Sequence, residues 1–218
     1  MPKQKRDFNK ILLVEGNDDK HSVIGLMKHH TDWPEDRNLW PVWVEVGNSV
    51  SELLADGYLT SELKAKNAEI VGLMLDADIN SEGRYQRIHQ LCKGLFPEIP
   101  ERLPSAGLLI ENEEKKRFGV WIMPNNQIEG DLETFLRSLV PDKQERIWKL
   151  ACESVLSARS AGARCRDVHV PKANLYTWLA WQDSPGQSPG VALTQKLLNP
   201  QSEAAKPFVN WFKMLYKV

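Results

Sequence analysis

Short aliphatic runs alternate with stretches of helical spacing along the first 140 residues of the chain. Residues 10–15, Lys-Ile-Leu-Leu-Val-Glu, form a short aliphatic run, Ile11 to Val14, closed by Glu15 and stopped by Gly16, the pattern of a strand buried on both faces. From Asp18 to about His30 the apolar residues Val23, Ile24, Leu26 and Met27 recur at helical spacing, with Asn17 or Asp18 placed to cap the helix. Val42 to Val46 alternates as a second strand. Ser49 or Ser51 then caps a helix predicted to run to about Lys66, and Ser49-Val50-Ser51-Glu52 has the form of a capping box. A third strand, Glu69 to Leu75, ends in Asp76 and Asp78, and a helix follows from Asn80–Gly83 to Leu95. Pro97, Pro100 and Pro104 mark an irregular connection. Leu108 to Ile110 and Arg117 to Met123 read as two more strands around the charged turn 111–116, an arrangement that suits a hairpin. Gly130 opens a further helix with Leu132, Phe135, Leu136 and Leu139 on one face.

Beyond Pro141 the strand signal disappears. Residues 142–163 read as one long helix carrying Ile147, Leu150, Ala151 and Val155 at helical spacing, and shorter helices are predicted near 172–182, 189–198 and 205–216. Strands alternating with helices give an α/β fold with a largely parallel sheet flanked by helices. The expected organisation is an α/β domain over residues 8–140 and a helical C-terminal extension over 141–218. The extension carries Tyr176, Trp178, Trp181, Phe208, Trp211 and Phe212, enough aromatic surface to need burial against the sheet.

Composition narrows the class. The 218 residues hold 28 Lys and Arg against 29 Asp and Glu. The longest apolar runs, such as residues 71–75, fall far short of the roughly 20 residues a membrane span requires. The charged N-terminal segment and the short apolar stretch after it do not form a signal peptide, so a cytoplasmic location is expected. Cys92, Cys152 and Cys165 are widely spaced and make no zinc-ligand pair. Charge is unevenly placed: residues 1–140 hold 17 basic and 23 acidic residues, and residues 141–218 hold 11 and 6. An acidic front part beside a basic tail suits a protein that holds a metal with one and a phosphate backbone with the other.

The chemistry-bearing residues sit where strands end, the place at which an open parallel sheet gathers functional groups. Glu15 closes the first strand and Asp76 and Asp78 close the third, while Glu129, Asp131 and Glu133 follow the strand that ends in Val-Trp-Ile-Met-Pro. The i, i+2 spacing sends Asp76 and Asp78 to one side of an extended backbone, and Glu129 and Glu133, four apart, would share a helical face. Carboxylates so gathered repel one another unless a cation lies between them, and Mg²⁺ or Mn²⁺ is the usual one. The alternative is that each acid caps or faces a helix N-terminus. His21, His29, His30 and His89 lie on predicted helices and read as surface or packing residues.

Val14-Glu-Gly-Asn-Asp-Asp19, Leu75-Asp-Ala-Asp78 and Gly130-Asp-Leu-Glu133 resemble the Toprim domain shared by topoisomerases, bacterial primases, recombination mediators and nucleases of the overcoming-lysogenization-defect class. Over nearly the whole chain, ILLVEGNDDKHSVIGLM, GLMLDADIN, MPNNQIEGDLETFL, PKANLYTWLAW and VNWFKMLY resemble a small uncharacterised bacterial family of stand-alone Toprim-like proteins. The resemblance implies a Toprim-like (Rossmann-like) sheet, Glu15 as general acid/base or metal ligand, Asp76 and Asp78 as metal ligands, Glu133 as the later acid of the site, and Asp19 as a secondary ligand. Thr134 stands where nuclease-like members carry a second acid, and Asn125 stands where the close family has one.

The leading expectation is Mg²⁺- or Mn²⁺-dependent phosphodiester chemistry on nucleic acid, DNA or RNA, most simply endonucleolytic hydrolysis with water as nucleophile. Lys172 is the expected basic group approaching from the C-terminal part. The competing expectation is a non-catalytic module that binds a metal, a nucleotide or a partner protein, as in a bacterial defence system. A homodimer is a further expected association.

Overall fold

In the computed structural model, residues 4–218 are described. Five strands, β1 (Lys10–Val14), β2 (Trp43–Val46), β3 (Ile70–Asp76), β4 (Leu108–Glu111) and β5 (Arg117–Met123), form one sheet in the order β2-β1-β3-β5-β4. β2, β1, β3 and β5 run parallel, and β4 closes the edge as the antiparallel arm of a hairpin with β5. The mixed, mostly parallel α/β sheet expected from the sequence is therefore present, flanked by helices and followed by a helical C-terminal part. Among the described residues no helix is long and apolar enough to cross a membrane.

The strands face helices on both sides, so alternate residues of each strand enter different cores. Ile11 and Leu13 of β1, Val71, Leu73 and Leu75 of β3, and Phe118, Val120 and Ile122 of β5 pack with α2 (Val50–Leu53), α3 (Tyr58–Lys64) and α4 (Ser81–Cys92). Leu12 and Val14, Ile70 and Met74, and Trp121 and Met123 point the other way. There they meet α1 (Asn17–Met27), α5 (Leu132–Arg137), α6 (Glu145–Ser160), α7 (Val170–Ala180), α8 (Pro189–Thr194) and α9 (Lys206–Tyr216). The C-terminal helices thus share a hydrophobic core with the sheet.

α9 shows how close that union is. Its buried residues Phe208, Val209, Trp211, Phe212, Leu215 and Tyr216 follow the spacing of one helical face. The strands beneath offer two glycines in register, Gly72 of β3 opposite Gly119 of β5. Without side chains there, Leu215 and Tyr216 lie directly on the backbone, and the Tyr216 hydroxyl donates to the Ile11 carbonyl at 2.8 Å. At the sheet edge the Trp211 indole N–H donates to the Leu108 carbonyl at 3.0 Å, and the Trp121 and Phe208 rings meet edge to face at 5.5 Å.

Several helices differ in extent from the sequence pattern. The helix predicted to run to Lys66 is two helices, broken before Tyr58 by Gly57 at φ 91°; the Ser49 hydroxyl caps the first by accepting from Glu52 N–H. The helix predicted over 142–163 begins with a 3₁₀ turn and is regular only over α6. α1 starts one residue earlier than expected, with Gly16 rather than Asn17 or Asp18 in the cap position.

A methyl group at position 72 would have to lie 2.2 Å from the Tyr216 hydroxyl and 3.0 Å from Leu12 and Leu215 carbons. Gly72→Ala is therefore expected to lower the unfolding free energy by about 1–3 kcal/mol, the usual cost of overpacking a filled core, read as a lower midpoint in denaturant with an unchanged slope. Unaltered stability would show that α9 does not rest on the sheet in this way.

Candidate functional site

Three parallel strands, β1, β3 and β5, deliver their carboxyl ends to one edge of the sheet, and the loops beyond them bring the acids together. Glu15 follows β1 directly, and its Oε1 accepts the Asp76 backbone N–H at 2.7 Å. Asp76 ends β3, and its Oδ1 accepts the Leu132 N–H at the start of α5 at 2.9 Å. Two residues on, Asp78 sits at φ 51° and exchanges backbone hydrogen bonds with Gly130, at 2.8 and 2.9 Å. That clip fastens the loop after β3 to the loop before α5. It holds Asp131 and Glu133 over the end of β3.

The first turn of α1 completes the group. Asp19 Oδ2 accepts the Gly16 N–H at 3.0 Å, which fixes the carboxylate facing back toward the end of β1. Its second oxygen, Oδ1, is buried and has no hydrogen-bond partner among the described residues. Asp19 and Glu133 are both almost fully buried. From α7, Lys172 Nζ reaches Asp18 at 2.8 Å and Glu133 at 3.2 Å, and the Tyr176 hydroxyl, one turn further on, donates to the same Asp18 oxygen at 3.0 Å. A cleft of about 690 Å³ opens above, lined in part by Asp76, Asp131, Glu133 and Lys172.

Charge crowded into this volume shifts the protonation of the acids. Burial first, then the carboxylates of Asp19, Glu15, Glu133 and Asp131, push the Asp76 carboxyl up to about 9. Burial raises Glu15 to about 7 against the opposing Asp76 N–H bond, with Asp19 adding to the rise. Burial also carries Asp19 to about 6, opposed by the Gly16 N–H and assisted by Glu133 and Asp18. Glu133 is raised by burial, with Lys172 holding it back. Asp18 goes the other way: burial would lift it, but the Lys172 ammonium and the Tyr176 hydroxyl prevail and leave it below its ordinary value. Burial would lower Lys172, and its two carboxylate partners outweigh that and raise it.

Of the residues singled out in the sequence, Glu15, Asp19, Asp76 and Glu133 form one electrostatically coupled group, and Lys172 stands beside it. Asp78 stays at the margin of this group, adding only the last and smallest of the contributions that raise Glu15. Its side chain is 56% exposed and turned to Arg84 on α4, with which it forms an ion pair. Glu129 and Glu133 do not share a helical face, contrary to expectation. Gly130 at φ 136° and the extended cap residue Asp131 delay the helix to Leu132, leaving Glu129 exposed in the loop before it. Asn125, also exposed, turns its loop by accepting the N–H groups of Gln127 and Ile128 at 3.1 and 3.2 Å. Thr134 serves the cap of α5: Asp131, the cap residue, accepts both its N–H and its hydroxyl at 2.8 and 2.7 Å. Sequence reading missed Asp18 as the partner of Lys172, and Tyr176 as its second donor. Asp18 also occupies the position of an ordinary helix-start acid, and Lys172 lies 154 residues away.

A divalent cation fits this donor set. The acids supply hard oxygen ligands, their mutual repulsion is what a cation would relieve, and the unpartnered Asp19 Oδ1 is an oxygen in want of a positive neighbour. Among the described residues no three such side chains already stand in ligating geometry, so binding requires the carboxylates to close in.

The profile of a family described as a protein of unknown function (DUF3226) matches residues 9–217. The chain belongs to that family. The family's description assigns no activity and carries no link to Toprim. Neither the curated proteins nor the solved structures searched gave a match.

The raised carboxyls set a pH dependence. Each binds its proton more tightly in the folded chain than in the unfolded one, where carboxyls titrate near ~4. Their contribution therefore favours the folded state at low pH and is lost as pH climbs through the folded values of about 6 for Asp19, about 7 for Glu15 and about 9 for Asp76. In metal-free buffer, Asp76→Asn should raise stability at pH 8 by on the order of 1 kcal/mol or more, several degrees in thermal midpoint, with a smaller gain at pH 5. A gain that is the same at both pH values, or a loss at pH 8, would show that no buried charge is relieved.

Proposed function

For this member of the DUF3226 family we propose metal-dependent hydrolysis of a phosphodiester bond in nucleic acid, carried out at the carboxylate cluster beyond β1 and β3. The observation that carries the reading is the unpartnered, buried Asp19 oxygen among acids that raise one another's pKa. A purely structural set of helix caps would leave each carboxylate satisfied. The Toprim resemblance of residues 14–19, 75–78 and 130–133, and the parallel strand ends on which these motifs sit, support the same reading.

Asp19, Asp76 and Glu133 would hold Mg²⁺ or Mn²⁺ with Glu15 beside them, and Asp78 would join them only by leaving Arg84. A cation bound there supplies positive charge against the phosphoryl oxygens as the bond to phosphorus is exchanged. Glu15 is suited to the proton. In the metal-free chain burial raises its carboxyl to about 7, and with Oε1 held by the Asp76 N–H its other oxygen would take the proton of the attacking water. As the water oxygen bonds to phosphorus, the bond to the leaving sugar oxygen breaks, and solvent protonates that oxygen. Lys172 stays charged, since its carboxylates raise its pKa. Its role is to hold a phosphate by charge, not to donate a proton.

A second reading, a non-catalytic module that binds a metal, a nucleotide or a partner protein through the same pocket, is favoured by the ion pairs already made. Arg84 engages Asp78, and Lys172 engages Asp18 and Glu133. Acids neutralised by neighbouring cations can serve architecture alone.

Purified protein incubated with supercoiled plasmid, single-stranded DNA or RNA is expected to cleave at least one of them in Mg²⁺ or Mn²⁺ and none in chelator. Asp76→Asn and Glu15→Gln should each reduce the rate by about 10²-fold or more, the usual worth of a positioned acid or base. Intact substrates throughout, or equal rates in the variants, would transfer the assignment to the binding module.

A further inference from the structure

Among the described residues, the two most exposed large hydrophobic side chains are Ile79, 82% exposed, and Val168, 68% exposed. Isolated exposed aliphatics are commonplace on protein surfaces, but these two belong to distant parts of the chain and line the same cleft, the one whose floor is Asp76, Asp131, Glu133 and Lys172. Ile79 rides on the loop fixed by the Asp78–Gly130 backbone pairing. Val168 lies in the 3₁₀ turn leading into α7, the helix that carries Lys172. Both lips are thus attached to the elements that position the charged floor.

A cleft with a charged floor and aliphatic lips selects for a ligand with both characters. Its volume of about 690 Å³ falls in the range of small-ligand sites, roughly 300–1,000 Å³. The outside of a nucleic-acid duplex offers phosphates and sugars and keeps the flat faces of its bases stacked inside. An unpaired nucleotide offers a phosphate and an apolar base face together, and enzymes that accept one commonly hold the base between aromatic or apolar side chains. Further charge lies on the same side. Arg166 donates to His169 Nε2 at 2.7 Å, and His169 lines the cleft together with Asp167, whose carboxylate is paired with Arg159.

We propose that this cleft takes single-stranded nucleic acid, with one unpaired base packed between Ile79 and Val168 and its phosphate directed at Lys172 and the carboxylate floor. The assignment rests on the nucleic-acid reading above, and it names the strandedness of the substrate and the residues that select it. DNA and RNA share the base and the phosphate, and the arms of the test separate them.

The test is fluorescence anisotropy with labelled 12-nucleotide DNA and RNA strands, each also as its duplex, in buffer containing Ca²⁺, alongside cleavage assays in Mg²⁺ and Mn²⁺. At least one single strand should bind about tenfold or more tightly than its duplex. The double variant Ile79→Ser/Val168→Ser should lose about tenfold of that affinity, within the span found when a base-stacking side chain is removed, while Leu39→Ser, another exposed aliphatic position outside the cleft, should stay within about twofold. For a strand of abasic nucleotides the double variant should bind as the unaltered protein does, because no base is left to grip. Equal or tighter duplex binding, no binding of any strand, an indifferent double variant, or the same loss with the abasic strand would each overturn the proposal. Binding as expected without cleavage would retain the single-strand site and remove the hydrolase reading. Cleavage that prefers duplex and ignores the two lip substitutions would do the reverse.

Discussion

Parallel pairing of β1, β3 and β5 is the constraint from which the candidate site follows. Parallel neighbours present the same end of every strand to the same edge of the sheet. An acid placed at the end of one strand therefore stands beside an acid at the end of the next. The register Leu13 to Leu73 and Asp76 to Met123 brings Glu15 within reach of the Asp76 N–H and sets the loop after Met123 over Asp76. Antiparallel neighbours would have sent alternate acids to opposite edges. The single antiparallel strand, β4, is at the periphery, where it closes the sheet and contributes no acid to the cluster.

The C-terminal helices convert that edge from an exposed acidic rim into a pocket. α9 lies on Gly72 and Gly119 with Tyr216 hydrogen-bonded to β1, and α8 packs on α1 so closely that a methyl group on Gly25 would meet the Gly190 carbonyl at 2.4 Å. Leu175, Trp178 and Leu179 fix α7 in the same core. With α7 seated in that core, Lys172 and Tyr176 present their polar ends to Asp18. The aromatic content of the tail and the charge balance of the acidic front part are two sides of one arrangement, since the buried helix face supplies the rigidity that holds an ammonium beside Glu133.

The α/β architecture was legible because its signals are local. Aliphatic runs that end in an acid or glycine marked β1 and β3, and the charged turn between Ile110 and Arg117 marked the hairpin. The boundaries missed were those set by a single backbone conformation, such as Gly57 dividing one predicted helix and Gly130 delaying another. The strand-end acids were visible for the same local reason, and so was their order. Their separation into a buried group and an exposed one was not. Asp76 and Asp78 look equivalent in the sequence, yet the left-handed turn at Asp78 and the Arg84 side chain one helical turn into α4 draw them apart. Asp18, partnered across 154 residues, carries no local mark at all.

The distribution of cations explains why the acids have unequal protonation. Lys172 contacts Asp18 and Glu133, and Arg84 contacts Asp78, while Asp76 and Asp19 are held only by backbone N–H groups. Backbone dipoles stabilise a carboxylate less than a full charge does, and burial withdraws the water that would otherwise help. Asp76, surrounded by four other acids, is accordingly the group displaced furthest, to about 9. Protonation is one way to relieve such crowding, and a bound cation is the other. Were a cation to bind, it would compete with protons for the same oxygens at neutral pH, because a proton on Asp76 must leave before that oxygen can serve as an anionic ligand. Metal affinity at this site would therefore rise with pH over the range in which the metal-free fold is losing the stability that its extra protons supply.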